Sequence, residues 1–392
     1  MHPNQRGTAI PASATLTISA KAKEMTAKGV DVVNFGVGQP DFPTPAHIVE
    51  AAKEALDGGA HGYTPTAGTP ALREAVAAEL SKLSAVEYEP SAVFVSNGAK
   101  QCLHNLTQVL VDPGDEVIVP GPYWVSYAPI VQLAGGKMKL LPTRLADGFK
   151  ITPDQLQEAL TPRSKMLILN SPSNPTGAAY TEAELRGLAE VVLDHPHVAV
   201  VSDEIYRQIT YDGFRHVSFA GLSPETAART FVVDGVSKAY AMTGWRIGYA
   251  AGPTEVIAAA IRYQDHTTSC ASAGSQAAAV AALTGTQEPV AIMRKAFTER
   301  RAALLEKIAT LEGIHVHPPQ GAFYAFLDLS GLGPVGMDDG PFCEKLLDQA
   351  HVAAVPGLAF GAPGHLRVSF ACAMDRLLEG MDRIKRFVAE AR

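Results

Sequence analysis

Residues 236–248 read Val-Ser-Lys-Ala-Tyr-Ala-Met-Thr-Gly-Trp-Arg-Ile-Gly, with Lys238 and Arg246 flanked by two apolar runs, 230–234 and 247–251, that have the character of buried strands. A lysine between buried strands must be paired, neutral or covalently modified. A lysine of lowered pKa attacks carbonyls and forms a Schiff base. Arg246, eight residues on, offers a permanent cation and a planar donor fork suited to a phosphate. A lysine for an aldehyde and an arginine for a phosphate suggest pyridoxal 5′-phosphate (PLP). Taken alone, the stretch also fits a surface lysine in a loop followed by a solvated arginine.

Further residues fit the same chemistry, each with a plainer reading beside it. Asp203 stands at the end of the apolar run 198–202, and Tyr206 follows three residues later. A carboxylate beside a pyridine nitrogen keeps it protonated, and the protonated ring is an electron sink for a carbanion. The same aspartate can simply cap the next helix. Tyr206 can donate to the cofactor's phenolate oxygen. So can Asn174 in Ser-Pro-Ser-Asn-Pro-Thr-Gly at 171–177, which otherwise reads as a proline–glycine turn. Residues 96–101, Ser-Asn-Gly-Ala-Lys-Gln, form a strand–turn–helix junction whose free N–H groups make an anion site, a feature every α/β protein repeats. Trp124 has a face for ring stacking or for core packing. Arg367 sits inside an apolar strand and needs a carboxylate, either an internal Asp or Glu or one from a substrate. The twelve histidines form no metal-ligand set, and no metal is expected; His315 and His317 read as structural.

The surrounding elements place these residues. From residue 92, strands at 92–96, 116–119, 137–141, 166–170 and 198–202 alternate with helical stretches such as 99–110. This is the pattern of an α/β fold, a mostly parallel sheet covered by helices. Ligands of such sheets bind outside the carboxyl ends of the strands, where Asn97, Asn170–Asn174 and Asp203 fall. After residue 285 a helix at 290–311 leads to short strands at 315–317, 322–329, 353–355 and 366–370 and an amphipathic helix at 374–391. The expected division is a large domain over 46–285 and a smaller α+β domain made of 286–392 with 1–45. Residues 1–12 read as a loose arm, 15–28 as a helix, 31–35 as a strand, and 36–45 as a turn-rich segment of two glycines and three prolines.

The chain has 392 residues, 47% hydrophobic and 19% charged, enough for more than one core. A net charge of −7 gives no attraction to nucleic acid or anionic lipid. Cys102, Cys270, Cys343 and Cys372 are scattered, which fits a reducing cytoplasm. No signal-peptide pattern and no membrane-spanning apolar run is present.

Gly-Gln-Pro-Asp-Phe at 38–42, Asn-Pro-Thr-Gly at 174–177, Ser-Asp-Glu-Ile-Tyr at 202–206, Ser-Lys at 237–238, Gly-Trp-Arg-Ile-Gly at 244–248, and Arg367 together resemble the class I/II aminotransferases, the fold-type I PLP enzymes. The likeness is nearest to the bacterial aspartate aminotransferase branch. It implies that Lys238 carries the cofactor and moves a proton, that Asp203 pairs with the pyridine nitrogen, and that Asn174 and Tyr206 hold the phenolate oxygen. It further implies that Trp124 stacks on the ring, that Gly98, Ala99 and Lys100 form the phosphate turn, and that Arg246 contacts the phosphate. Arg367 and the backbone of Gly38 would hold the substrate α-carboxylate. Tyr63 would reach the phosphate of a neighbouring subunit, which implies a homodimer with shared sites. Many relatives carry a hydroxyl three residues before the lysine; Gly235 stands there, and Ser237 is the candidate replacement.

The expected activity is ping-pong transfer of an amino group between an L-amino acid, aspartate or glutamate first and aromatic donors next, and a 2-oxo acid such as 2-oxoglutarate. Lys100 would recognise the side-chain carboxylate, neutralise the phosphate, or point to solvent. The alternatives are a PLP-dependent lyase on the same scaffold and a PLP-binding regulator, for which residues 1–30 are too few to hold a DNA-binding domain.

Overall fold

The computed structural model describes residues 2, 4–10 and 12–390. Mostly apolar runs build a seven-stranded sheet in the order Val93–Ser96, Gly248–Ala251, Thr230–Gly235, Ala199–Asp203, Ser164–Asn170, Glu116–Pro120, Lys137–Leu141. Every strand is parallel except Gly248–Ala251, which runs antiparallel to both neighbours. Apart from the edge strand Lys137–Leu141, the strands are buried on both faces, as parallel strands are. Along Thr230–Gly235, Phe231 and Val233 join the core containing Leu103 and Leu106 of helix Ala99–Leu110. Val232 joins the opposite core, with Leu72 and Val76 of helix Pro70–Ser81. That alternation is the period-2 geometry of a strand.

The register brings the chemistry to one rim. Asn170 is paired with Asp203, and Asp203 with Val233, at the carboxyl ends of parallel strands. At the same rim Gly248 lies between Ser96 and Gly235. Gly98, with φ of 89°, turns the chain into helix Ala99–Leu110. A Cβ on Gly248 would run into the backbone of Gly98 and Ala99. A side chain on Gly235 would meet the carbonyl of Ile247 at 2.9 Å, so the glycine lets the neighbouring strand approach closely here. Gly248→Ala is expected to cost about 1–3 kcal/mol, the scale of overpacking, read as a lower denaturant midpoint at constant m-value.

A second, antiparallel sheet has the order Val355–Pro356, His365–Ser369, Tyr324–Asp328, His315–Val316. It packs against Phe297, Leu304 and Ile308 of helix Glu288–Ile308 and against Leu377, Met381 and Ile384 of helix Met374–Glu390. The single strand expected at 353–355 is instead two. Val352–Ala353 pairs in parallel with Val33–Asn34, all that forms of the strand expected at 31–35. After Ala354 the chain changes sheets, and Val355–Pro356 pairs with His365–Ser369. The helix expected at 15–28 is Ala14–Ala27.

Within the stretch read as a loose arm, Gln5–Ala9 is a short helix capped by the Asn4 side chain, while residues 1, 3 and 11 lie outside the described residues, as does Ala391. Helices Pro153–Ala159 and Glu182–Leu193, passed over in the sequence, begin with full capping boxes, Thr152 with Gln155 and Thr181 with Glu184.

Candidate active site

A cavity of about 470 Å³ opens at the rim where the parallel strands end. Of the residues singled out in the sequence, Gly38, Ala99, Lys100, Trp124, Asn174, Asp203, Tyr206, Ser237, Lys238, Arg246 and Arg367 all line it. Gly98 lies just beneath, where a Cβ would strike the Arg246 guanidinium. Tyr63 is elsewhere in this chain. It is 95% exposed and belongs to a shallow depression with Ala273 and Ala277.

Each side chain is held by an identifiable contact. Lys238 Nζ donates to the carbonyl of Gly38 at 2.7 Å. Burial, then the charges of Arg246 and Arg367, lowers the Lys238 pKa to about 8 against the opposing pull of Asp203. Asp203 is buried and accepts a 2.6 Å bond from the Tyr127 hydroxyl. Burial raises its pKa to about 6, although the Tyr127 bond works the other way. The Asn170 amide donates to the Asp203 carbonyl at 2.9 Å, and its oxygen accepts from the Asn174 N–H at 2.8 Å. The Arg246 guanidinium donates to the carbonyls of Thr243 and Asn97 at 3.0 and 3.1 Å, beside the N-terminus of helix Ala99–Leu110. Lys100 Nζ lies 4.9 Å from the centre of the Trp124 ring. Its pKa is lowered by desolvation and then by Arg246, although the residue as a whole is exposed.

Arg367 answers the question its sequence context raised. It is 2% exposed, yet its guanidinium donates to the Asn174 side-chain oxygen at 3.0 Å and the Gly36 carbonyl at 2.8 Å, and its Nε is buried without a partner. No internal carboxylate meets it. The pattern is general: Lys23, Lys100, Lys238, Arg246 and Arg367 line the cavity against a single carboxylate, Asp203. Among the described residues none of the five cations forms an ion pair. Arg367 is buried and Lys238 half-buried, while Lys23, Lys100 and Arg246 are exposed at the mouth. Buried charge left uncompensated is costly, so the inner end of this cavity is built for an anionic ligand.

Five residues at the site escape the sequence reading. Tyr127 lies three residues past Trp124, and Tyr324 falls inside the strand expected at 322–329; neither is singled out by the sequence. Thr15, Ser19 and Lys23 also line the cavity from helix Ala14–Ala27. Their spacing of four residues, one helix face, was the available signal.

The donor set fits PLP. A partly buried amine of lowered pKa, a buried carboxylate in need of a cation, a glycine turn under a guanidinium at a helix N-terminus, and an unpaired buried arginine are all present in one cavity.

Residues 30–384 match the family described as aminotransferase class I and II. The chain is 48% identical over 392 residues to an aspartate aminotransferase of Geobacillus stearothermophilus, covering 99% of both sequences. The crystal structure of the aspartate aminotransferase from Rhizobium meliloti superposes with a TM-score of 0.94 at 43% identity, covering 99% of both chains. That of the Thermus thermophilus enzyme with maleate gives 0.93 at 42% identity, over 98% of this chain and 99% of that one. The chain therefore belongs to the class I and II aminotransferases, with the fold-type I α/β architecture, and is an amino-group-transferring enzyme.

Proposed function

We propose that this aminotransferase carries PLP on Lys238 and moves the amino group of aspartate or glutamate to a 2-oxo acid such as 2-oxoglutarate. The observation that carries this reading is the excess of unpaired cations around a lysine of lowered pKa and one buried carboxylate. The aspartate-directed relatives support the dicarboxylic substrate. Bound PLP supplies an electron sink for the carbanion left at the substrate α-carbon.

The residues divide the remaining work. Asp203 keeps a proton on the pyridine nitrogen. Tyr206 and Asn174 donate to the phenolate oxygen, and Trp124 covers the ring. The N–H groups of the 98–100 turn bind the phosphate together with Arg246 and the nearby Ser237. Arg367 grips the substrate α-carboxylate, with the Gly38 backbone beside it. Once free, Lys238 Nζ takes the α-proton and returns it at the next step. The test is a panel of amino donors against 2-oxoglutarate. Stoichiometric amino transfer, fastest with aspartate or glutamate, is the expected result. Release of ammonia with β- or γ-elimination products would overturn it.

Lys100 is assigned to the side-chain carboxylate. A hydrogen bond to a charged group contributes about 1.5–3 kcal/mol. Lys100→Ala is therefore expected to lower kcat/KM for aspartate by about one to two orders of magnitude, and for an uncharged donor by less. Equal losses would move Lys100 to the phosphate.

The active unit is a homodimer in which Tyr63 completes the partner's phosphate site. Its support is the 95% exposure of this tyrosine beside a depression of small residues. Tyr63→Phe chains mixed with inactive Lys238→Ala chains should form hybrids that regain one intact site. Activity equal to the unmixed sum would refute the sharing. The large domain is taken as 46–285 and the smaller as 1–45 with 286–392. This division is supported by the sheets' confinement to 93–251 and 315–369 and by the pairing of Val33–Asn34 with Val352–Ala353. All four cysteines are free, which supports a cytoplasmic protein. Among the described residues no helix is long and apolar enough to cross a membrane.

A further inference from the structure

We propose that Tyr324 is a positioning residue that couples the carboxylate-gripping Arg367 to the hydroxyl of Tyr206. The inference rests on the PLP site described above, which assigns Tyr324 no role. Tyr324 is 1% exposed and opens strand Tyr324–Asp328, which runs antiparallel beside the strand of Arg367. Its hydroxyl shares a 2.9 Å hydrogen bond with the hydroxyl of Tyr206. The Arg367 guanidinium lies over its ring, with Cζ 4.6 Å from the ring centre, and over the Phe360 ring at 5.1 Å. The same hydroxyl sits against Gly38, where an added Cβ would be 3.0 Å away, and the Gly38 carbonyl holds Lys238. One side chain therefore touches three working parts of the cavity.

Packing alone does not call for this hydroxyl. The neighbouring Phe323 fills the same core as a plain phenyl ring. The hydrogen-bond direction gives the hydroxyl its use. A phenol has one proton to donate. When Tyr206 spends its proton on the phenolate oxygen of PLP, its own oxygen can only accept from Tyr324. The order Tyr324 to Tyr206 to ligand is then fixed, and a chain of donors polarises along its length. The charged groups facing the pair are Arg367, Asp203 and Lys238. Burial raises the pKa of both hydroxyls, and Arg367 opposes that rise, which makes each a better donor than burial alone would leave it. A carboxylate bound to Arg367 cancels that help. Donation to the ligand oxygen weakens, and the ligand's protonated form gains. Substrate arrival at one end of the cavity is thereby reported at the other.

The test is a pH titration of the visible absorbance of the holoenzyme, with and without maleate as an unreactive dicarboxylate. In the wild type, maleate should raise the titration midpoint. Tyr324→Phe keeps the ring and removes the hydroxyl. It should start with a midpoint higher by about half to one pH unit, the scale of one neutral hydrogen bond, and show less than half of the wild-type response to maleate. In a Tyr206→Phe background the same change should move the midpoint no further, because the chain is already broken. An unchanged maleate response in Tyr324→Phe, or additive effects of the two substitutions, would overturn the coupling and leave the PLP site standing. A wild-type protein with no visible band that titrates would overturn the PLP site and the coupling together.

Discussion

Replacing Lys238 with alanine is expected to lower kcat/KM by about 10⁴-fold or more, at or beyond the upper end of what a single acid–base group contributes. The size follows from two duties in one atom. Nζ would be the attachment point for an aldehyde, and it belongs to a half-buried amine whose pKa is lowered to about 8. The sign with pH follows as well. Below about 8 the group is an ammonium and cannot attack; above it the free amine can. Cofactor uptake by the apoenzyme should therefore speed up between about pH 7 and 9 and then level off. Borohydride reduction of the holoenzyme followed by peptide mapping checks the assignment directly, and a pyridoxyl group on any other lysine would sink it.

Asp203→Asn should bind the cofactor and turn over about 10²–10⁴ times more slowly, since a neutral amide cannot hold a proton on the ring nitrogen. The same substitution has an opposite signature in the apoprotein. Burial raises the folded-state pKa of Asp203 from 3.8 to about 6, so the folded state binds the extra proton, and apoprotein stability falls as pH climbs from about 4 through 6. The amide removes that loss. Apo Asp203→Asn should therefore melt no lower than the wild-type apoprotein at pH 7, while its turnover collapses. A variant with unchanged turnover would show that Asp203 serves another purpose.

The fold class was legible because parallel strands buried on both faces leave uninterrupted apolar runs, each closed by a residue such as Ser96, Asn170 or Asp203 at the rim. Lys238, Arg246 and Arg367 stood out for a related reason: a cation in an apolar setting demands an explanation, and the cavity contains all three. Tyr127 and Tyr324 offered no such contrast. An aromatic in an apolar stretch reads as core, and only coordinates reveal that one hydroxyl meets Asp203 and the other Tyr206. The division of 353–355 between two sheets was hidden as well, because Val352 to Val355 is apolar throughout and strand character does not name a partner.

The cavity is held together by contacts between distant parts of the chain. Arg367 meets Gly36 across 331 residues, Lys238 meets Gly38 across 200, and Arg367 meets Asn174 across 193. Closing loops of that length is paid for in chain entropy before any contact returns it. These contacts are expected to form after the local strand–helix units. If the proposed cofactor binds there, its visible band should be regained during refolding later than the far-ultraviolet helical signal.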